Sequence, residues 1–148
     1  APACTPDEVA RYRLTIRHAN EADGHGEQDE PLVLDPGAML ANLLEDLEAG
    51  VDVQVLARRF HEGFAASGAD VAAGVAHAAG LTKAALGGGV FSNRIVCELV
   101  KRSLEASRLK VYLPTSLPLN DGGISYGQAA VARARMASAI LNQANEQE

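Results

Sequence analysis

A glycine triplet between an apolar run and a helical repeat most constrains how this chain can fold. Leu81-Thr82-Lys83-Ala84-Ala85-Leu86 is short and apolar enough for a buried strand, and Leu86 to Arg94 reads LGGGVFSNR. Beyond it Phe91, Ile95 and Leu99 recur every four residues, with Val96 and Val100 beside them, which predicts a helix from Phe91 to about Ser107. A strand, a glycine turn and a helix N-terminus make a natural anion site. Free N–H groups point outward there, the helix dipole favours negative charge, and missing Cβ atoms allow close approach. Gly87, Gly88 and Gly89 also read simply as a tight strand-to-helix turn. The spacing excludes two common nucleotide motifs. A dinucleotide fingerprint needs a glycine where Ser92 stands, and no Gly-Lys-Ser/Thr triplet of a P-loop occurs.

The 148 residues fit one domain, able to bury about two-thirds of its unfolded surface. With 47% apolar and 22% charged residues the chain reads as globular, its core resting on Ala, Val, Leu and Ile. A net charge of −6 argues against nucleic acid as a partner, because phosphate backbones want a basic face. Cys4 and Cys97 support neither a disulfide scaffold nor a zinc knuckle, and Cys97 reads as a small packing residue. No apolar stretch approaches membrane-spanning length and no signal peptide is visible, so the expected compartment is the cytoplasm, without membrane contact. The chain opens Ala-Pro-Ala-Cys without methionine, as an excised or processed piece would.

Three segments are expected. Residues 1–30 hold a strand over Arg11–Arg17, from its alternation, and then an acidic polar loop. His18, His25, Glu21, Asp23, Glu27 and Asp29 around that loop suggest no more than adventitious metal binding. Residues 31–141 form the main unit, and 142–148 a polar tail. Pro31-Leu32-Val33-Leu34 is expected to return as a partner strand, giving an N-terminal β-hairpin. Asp35-Pro36 opens a helix as N-cap and first residue, its apolar face Met39, Leu40, Leu43, Leu44 and Leu47, with Gly50 as C-terminal cap. A second helix starts near Asp52, buries Leu56, Phe60 and Phe64, and continues through Val71 and Val75 to Ala79, weakened by Gly63, Gly68 and Gly74 by about 1 kcal/mol each. His61 beside that stripe reads as a satisfied helix histidine rather than a ligand. Leu109-Lys110-Val111-Tyr112-Leu113 is a β pattern, so strand 81–86, helix 91–107 and strand 109–113 form a right-handed βαβ unit with parallel strands. A last helix runs from about Ile124 to Leu141, with Ile124, Val131 and Leu141 facing inward.

In an open parallel sheet ligands collect beyond the carboxyl ends of the strands. LGGGVFSN leaves the first strand there and LPTSLPLNDGG the second, so the two loops should lie side by side. One offers backbone amides and Asn93; the other offers Asn120 and Asp121 before a helix N-terminus. A carboxylate beside a phosphate requires a cation between them, which implies a divalent metal. The other reading is that Asp121 merely caps the last helix.

GGVFSNR followed by LPTSLPLNDGGISYGQA resembles the closing region of the HypF family, the carbamoyltransferases of NiFe-hydrogenase maturation. Members carry a GGVFxNR motif and, about thirty residues later, an LPxxDGGxxxGQ motif. Gln128 after Gly127 completes the second, and Leu-Asp-Pro at 34–36 and Arg-Arg-Phe-His at 58–61 extend the likeness to roughly residues 31–140. Gly87 stands where the family usually has Ser. The resemblance implies an α/β lobe of the actin/hexokinase/acetate kinase (ASKHA) group, a βαβ core with parallel strands flanked by helices. By analogy with the related tRNA threonylcarbamoyladenosine enzymes, it implies that Gly88, Gly89 and Asn93 contact ATP or carbamoyl-adenylate. Asp121 would ligate a divalent metal, and Gly122 and Gly123 would let the last helix approach the ligand. No side-chain nucleophile is implied, since the acceptor brings its own thiol: the C-terminal cysteine of a HypE-like partner, in cyanide ligand synthesis.

Full-length members add acylphosphatase-like, zinc-finger and adenylate-forming domains and a first transferase lobe bearing a histidine pair. No His-x-x-x-His occurs here, and His18, His25, His61 and His77 lie in other segments. The chain thus reads as a second lobe, little active alone, which predicts an exposed apolar patch where the first lobe docks. The competing reading is a non-catalytic nucleotide- or protein-binding module with a polar, closed surface.

Overall fold

In the computed structural model, residues 5–18 and 31–145 are described. The acidic loop with His25, Glu21, Asp23, Glu27 and Asp29, together with Cys4 and the His18 and Leu141 side chains, lies outside the described residues. The chain order is α1 (Pro6–Arg11), β1 (Thr15–His18), β2 (Leu32–Asp35), α2 (Gly37–Glu48), α3 (Val53–Ala78), β3 (Lys83–Ala85), α4 (Arg94–Ala106), β4 (Lys110–Tyr112) and α5 (Ile124–Asn145). Short 3-10 turns at Gly89–Ser92 and Asp121–Gly123 precede the last two helices.

Among the described residues two small sheets form. β1 and β2 pair antiparallel, with Thr15 opposite Asp35, as the expected hairpin. β3 and β4 pair parallel, with Ala84 opposite Val111, and α4 crosses between them as the βαβ pattern requires. The expected strand over Arg11–Arg17 is corrected. Arg11 ends a helix and only Thr15 onward is extended. Thr5 and Glu8 close a reciprocal capping box with Pro6 in the first turn, so helix is locally favoured there despite the alternation downstream.

The main core lies between α3 and α4. Ala65, Ala69, Ala73 and Ala76 give α3 a narrow buried face that admits Val96, Val100 and Leu104 of α4, with Leu86 and Leu109 closing the ends. Burying such aliphatic side chains is worth roughly 1.5–3 kcal/mol each for Val and Leu. Ile95 and Val75, apolar positions of the same two helices, are exposed. A second cluster joins Tyr12, Met39 and Leu56. Gly63 makes it possible, since a Cβ there would run into the Tyr12 carbonyl. Helical glycine therefore permits close approach at this point rather than only weakening α3.

Helix ends follow local chemistry. Asp52 caps α3 through the Gln54 N–H at 2.7 Å. Asp35 is the last residue of β2 rather than the N-cap, but its carboxylate still accepts from Gly37 N–H at 2.8 Å. Gly50 adopts φ 77° beyond α2, and Val51 N–H bonds the Asp46 carbonyl across it.

Among the described residues, α2 and α5 each carry an exposed apolar face. On α2, Leu40, Leu44 and Leu47 are exposed where the periodicity put them inward, because Met39 and the half-buried Leu43 form the packed side. On α5, Ile124 and Val131 are exposed as well, against expectation, since that helix packs chiefly on the Asp121–Gly123 turn. The α5 helix also runs on to Asn145, beyond the expected end.

Candidate functional site

The two motif loops meet. Leu86 N–H bonds the Tyr112 carbonyl at 3.0 Å, ending the parallel ladder, and Gly88 N–H donates to the Leu119 carbonyl. The glycine turn is thus tied by one amide to the loop that carries the second motif. Gly88 has φ 104° and ψ 162°, a region open to glycine and strained for other residues. Gly87 has no such backbone, and a Cβ there would meet nothing within 4 Å. A serine at that position would be accommodated.

Asn93 stands one residue before α4. Its Oδ1 accepts from Ile95 N–H at 3.0 Å and Val96 N–H at 3.3 Å, capping the helix. The helix therefore begins at Arg94, not Phe91; the preceding Gly89–Ser92 turn is 3-10. Asn93 Nδ2 lies 3.0 Å from His61 Nε2 on α3. This link was not legible in the sequence: His61 and Asn93 are far apart in the chain, and only helix packing brings them together.

In the second loop Asn120, not Asp121, supplies the cap, its Oδ1 accepting from Gly122 N–H at 3.1 Å. Asp121 is exposed, with no side-chain hydrogen bond among the described residues. Asn120 caps the 3-10 turn that leads into α5, and the Asp121 carboxylate takes no part in that cap. Gly123 is packed tightly: a Cβ there would sit 2.8 Å from the Pro118 carbonyl oxygen.

Beneath the glycine turn is a nearly wholly apolar cavity of about 320 Å³, lined by Gly87, Gly88, Gly89, Phe64, Ala72 and Val90 among others. Its size falls in the range of small-molecule pockets. On the far side of the α3–α4 contact a larger groove of about 620 Å³ takes His61, Arg58, Glu62, Glu98 and Arg102 into its wall.

A divalent cation takes about six oxygen ligands. Among the described residues no group of three or more His, Cys, Asp or Glu is placed to hold one. Asp121 alone does not make a metal centre, so the fit fails for this chain by itself.

Strong electrostatic perturbation lies instead where α1 meets α2 and α3. The Thr5 N–H, and then Arg59, bring the Glu8 carboxyl down from 4.5 to about 2. The Tyr12 hydroxyl, 2.8 Å from Asp46, holds that carboxylate below its usual range, with Arg11 and Arg59 adding to the effect. Burial, and then Asp46, pushes the Tyr12 phenol up. Glu8 raises Arg59 further. Asp35 is lowered by the Gly37 N–H and then by Arg17. These groups pair α1 with α2 and α3, and β1 with β2.

No described helix is long and apolar enough to cross a membrane. Residues 3–128 match a family model described as carbamoyltransferase, Kae1-like domain, second subdomain. The carbamoyltransferase HypF of Rhizobium leguminosarum bv. viciae is 45% identical over 74 residues, half of this chain and 10% of its own length. A carbamoyltransferase HypF homolog from Cupriavidus necator is 34% identical over 144 residues, covering 96% of this chain and 36% of that protein. The chain therefore spans about a tenth and about a third of these relatives. The crystal structure of full-length HypF in its phosphate- and nucleotide-bound form superposes with a TM-score of 0.73 at 28% identity, over 90% of this chain and 16% of that one. HypF of T.kodakarensis, at 24% identity and a TM-score of 0.64 over 78% of this chain and 16% of that one, shares the fold.

Proposed function

Because the chain belongs to the HypF family of carbamoyltransferases, we propose that it is the second lobe of a transferase domain that moves a carbamoyl group from carbamoyl-adenylate to a cysteine thiol of a HypE-like acceptor. The observation that carries this reading is the meeting of the two motif loops through Gly88 and Leu119, with Asp121 left uncommitted beside them. In this reading the lobe is one half of an actin/hexokinase/acetate kinase-like cleft. Gly88, Gly89 and Asn93 face nucleotide, the apolar cavity under the turn receives its base, and Gly122 and Gly123 keep the start of α5 close. Asp121 contributes one carboxylate to a divalent metal whose other ligands come from the first lobe.

The chemistry asks for positioning rather than a nucleophile. The acceptor sulfur attacks the carbamoyl carbon, a C–S bond forms, the C–O bond to the adenylate phosphate breaks, and AMP leaves while the thiol proton passes to solvent. The contribution of this chain is to hold the adenylate in line. The role in cyanide ligand synthesis is that of the whole family, and the lobe alone is expected to turn over weakly or not at all.

The exposed Leu40, Leu44 and Leu47 stripe on α2 supports docking of another lobe. It runs against the alternative, a free-standing module with a closed polar surface. Calorimetric titration of ATP with and without Mg²⁺, on the chain and on Asp121→Ala, tests the reading. Because this lobe alone holds no complete metal centre, ATP binding by the wild-type chain is expected to be weak, and any cation-dependent part of it to fall about tenfold or more in Asp121→Ala, about 1.4 kcal/mol. Affinity indifferent to both cation and substitution would remove Asp121 from the site. No ATP binding under any condition would mean that the cleft needs its other lobe, or that the chain is an interaction module.

A further inference from the structure

The GGVFSNR turn and the Arg-Arg-Phe-His segment of α3 are joined by one chain of hydrogen bonds whose polarity can be worked out link by link. Asn93 Oδ1 accepts from two helical N–H groups, Ile95 at 3.0 Å and Val96 at 3.3 Å. The opposite amide orientation would set NH₂ against N–H donors, so the nitrogen must face His61. Nδ2 therefore donates to His61 Nε2 at 3.0 Å. A ring nitrogen that accepts carries no proton. The imidazole proton then sits on Nδ1, from which it donates to the Ala57 carbonyl at 2.6 Å. Helix α4's first turn thus sets the amide, the amide sets the tautomer, and the tautomer is anchored on α3.

We infer that His61 is a positioning residue that locks the Asn93 amide and restricts what Asn93 can offer a ligand. Both Oδ1 lone pairs and one Nδ2 hydrogen are engaged. What remains is the second Nδ2 hydrogen. Asn93 consequently meets a ligand as a single donor, and the matching atom is an acceptor such as a purine ring nitrogen, a ribose or phosphate oxygen, or a carbonyl oxygen. This rests on the reading of Asn93 as a nucleotide contact.

The tautomer is read first, by long-range ¹H–¹⁵N correlation of the chain's imidazoles at a pH where they are neutral. His61 is expected with its proton on Nδ1 and an unprotonated Nε2, the reverse of the form that free histidine favours. A proton on Nε2 would overturn the proposal whatever the chain binds. ATP affinity is then compared for wild type, His61→Gln and His61→Leu, with melting temperature as the control for folding. Gln keeps an acceptor near the Nε2 position and is expected within about threefold of wild type, whereas Leu is expected to lose about tenfold or more at unchanged melting temperature. Equal affinity in the Leu variant would overturn positioning. If the wild-type lobe alone binds no ATP, either the cleft needs its other lobe or the nucleotide reading fails, and the tautomer alone decides the His61–Asn93 link.

Discussion

Gly87, Gly88 and Gly89 look interchangeable as letters, and their backbones separate them. Gly88 lies at φ 104°, ψ 162°, a region that costs other residues about 1–3 kcal/mol, and its N–H is bonded to Leu119. Gly87 has neither the unusual φ nor a neighbour in the way of a side chain. Gly88→Ala is therefore expected to lower unfolding free energy by about 1–3 kcal/mol, and Gly87→Ser to change it by less than about 0.5 kcal/mol, both read from urea denaturation. Equal effects would mean that the turn adapts freely. The candidate residues named from the motifs were legible as types and as places in two loops. The jobs of Asn93 and Asn120 as caps, and the freedom of Asp121, were not. Each depends on which of several nearby N–H groups a short side chain reaches.

Helix α1 is held by charge as much as by packing. Arg59 pairs with Glu8 and, at 2.7 Å, with the largely buried Asp46, which also takes Arg11 at 2.8 Å and the Tyr12 hydroxyl. Because the folded-state pKa of Glu8 is about 2 against an ordinary 4.5, its contribution is complete above pH 4.5 and is lost as pH falls toward 2. Asp46 is shifted in the same direction and adds to that loss. The melting temperature is expected to be flat from neutral pH to about 5 and then to drop steeply, and in Glu8→Gln to start lower and fall less. Superimposable profiles for the two proteins would rule out the Glu8 contact as the source. Thr5-Pro6-Asp7-Glu8 carries the signal for this helix, a capping box with proline in its first turn. The alternation of Arg11 to Arg17 spans the end of this helix, so its strand periodicity does not hold there. Tyr12, inside that alternation, is wholly buried.

At the scale of the molecule, one firm body carries a loosely attached helix. The α3–α4 core and the α1–α2 cluster share Phe64, whereas α5 leaves Ile124, Tyr126, Val131 and Met136 exposed and packs chiefly on a three-residue turn. Helices with few buried contacts open first. Limited trypsin digestion is expected to cut at Arg133 and Arg135 before any site in α3 or α4. The remaining core should melt within about 3 °C of the intact chain, under about 1 kcal/mol for a domain this size. First cleavage at Arg58 or Arg102 would show that α5 is held more firmly than its contacts indicate. Exposed leucines on α2 and exposed aliphatics on α5 escaped the periodicity argument for one reason. Amphipathic spacing marks a face for burial without saying whether the partner that buries it belongs to the same chain.

What the amino-acid order determined by itself is everything written within a few residues. It set the hairpin of β1 and β2, the parallel βαβ unit, the caps at Asp52 and Gly50, and the glycine turn opening on a helix. These follow from turn chemistry and side-chain period, both local. Only the tertiary structure decided that Tyr12 turns onto Asp46, that Gly63 admits its backbone, that Gly88 ties to Leu119 and that His61 reaches Asn93. Those partners stand tens of residues apart, and which atoms meet is set by a balance of packing over the whole core that no local pattern records.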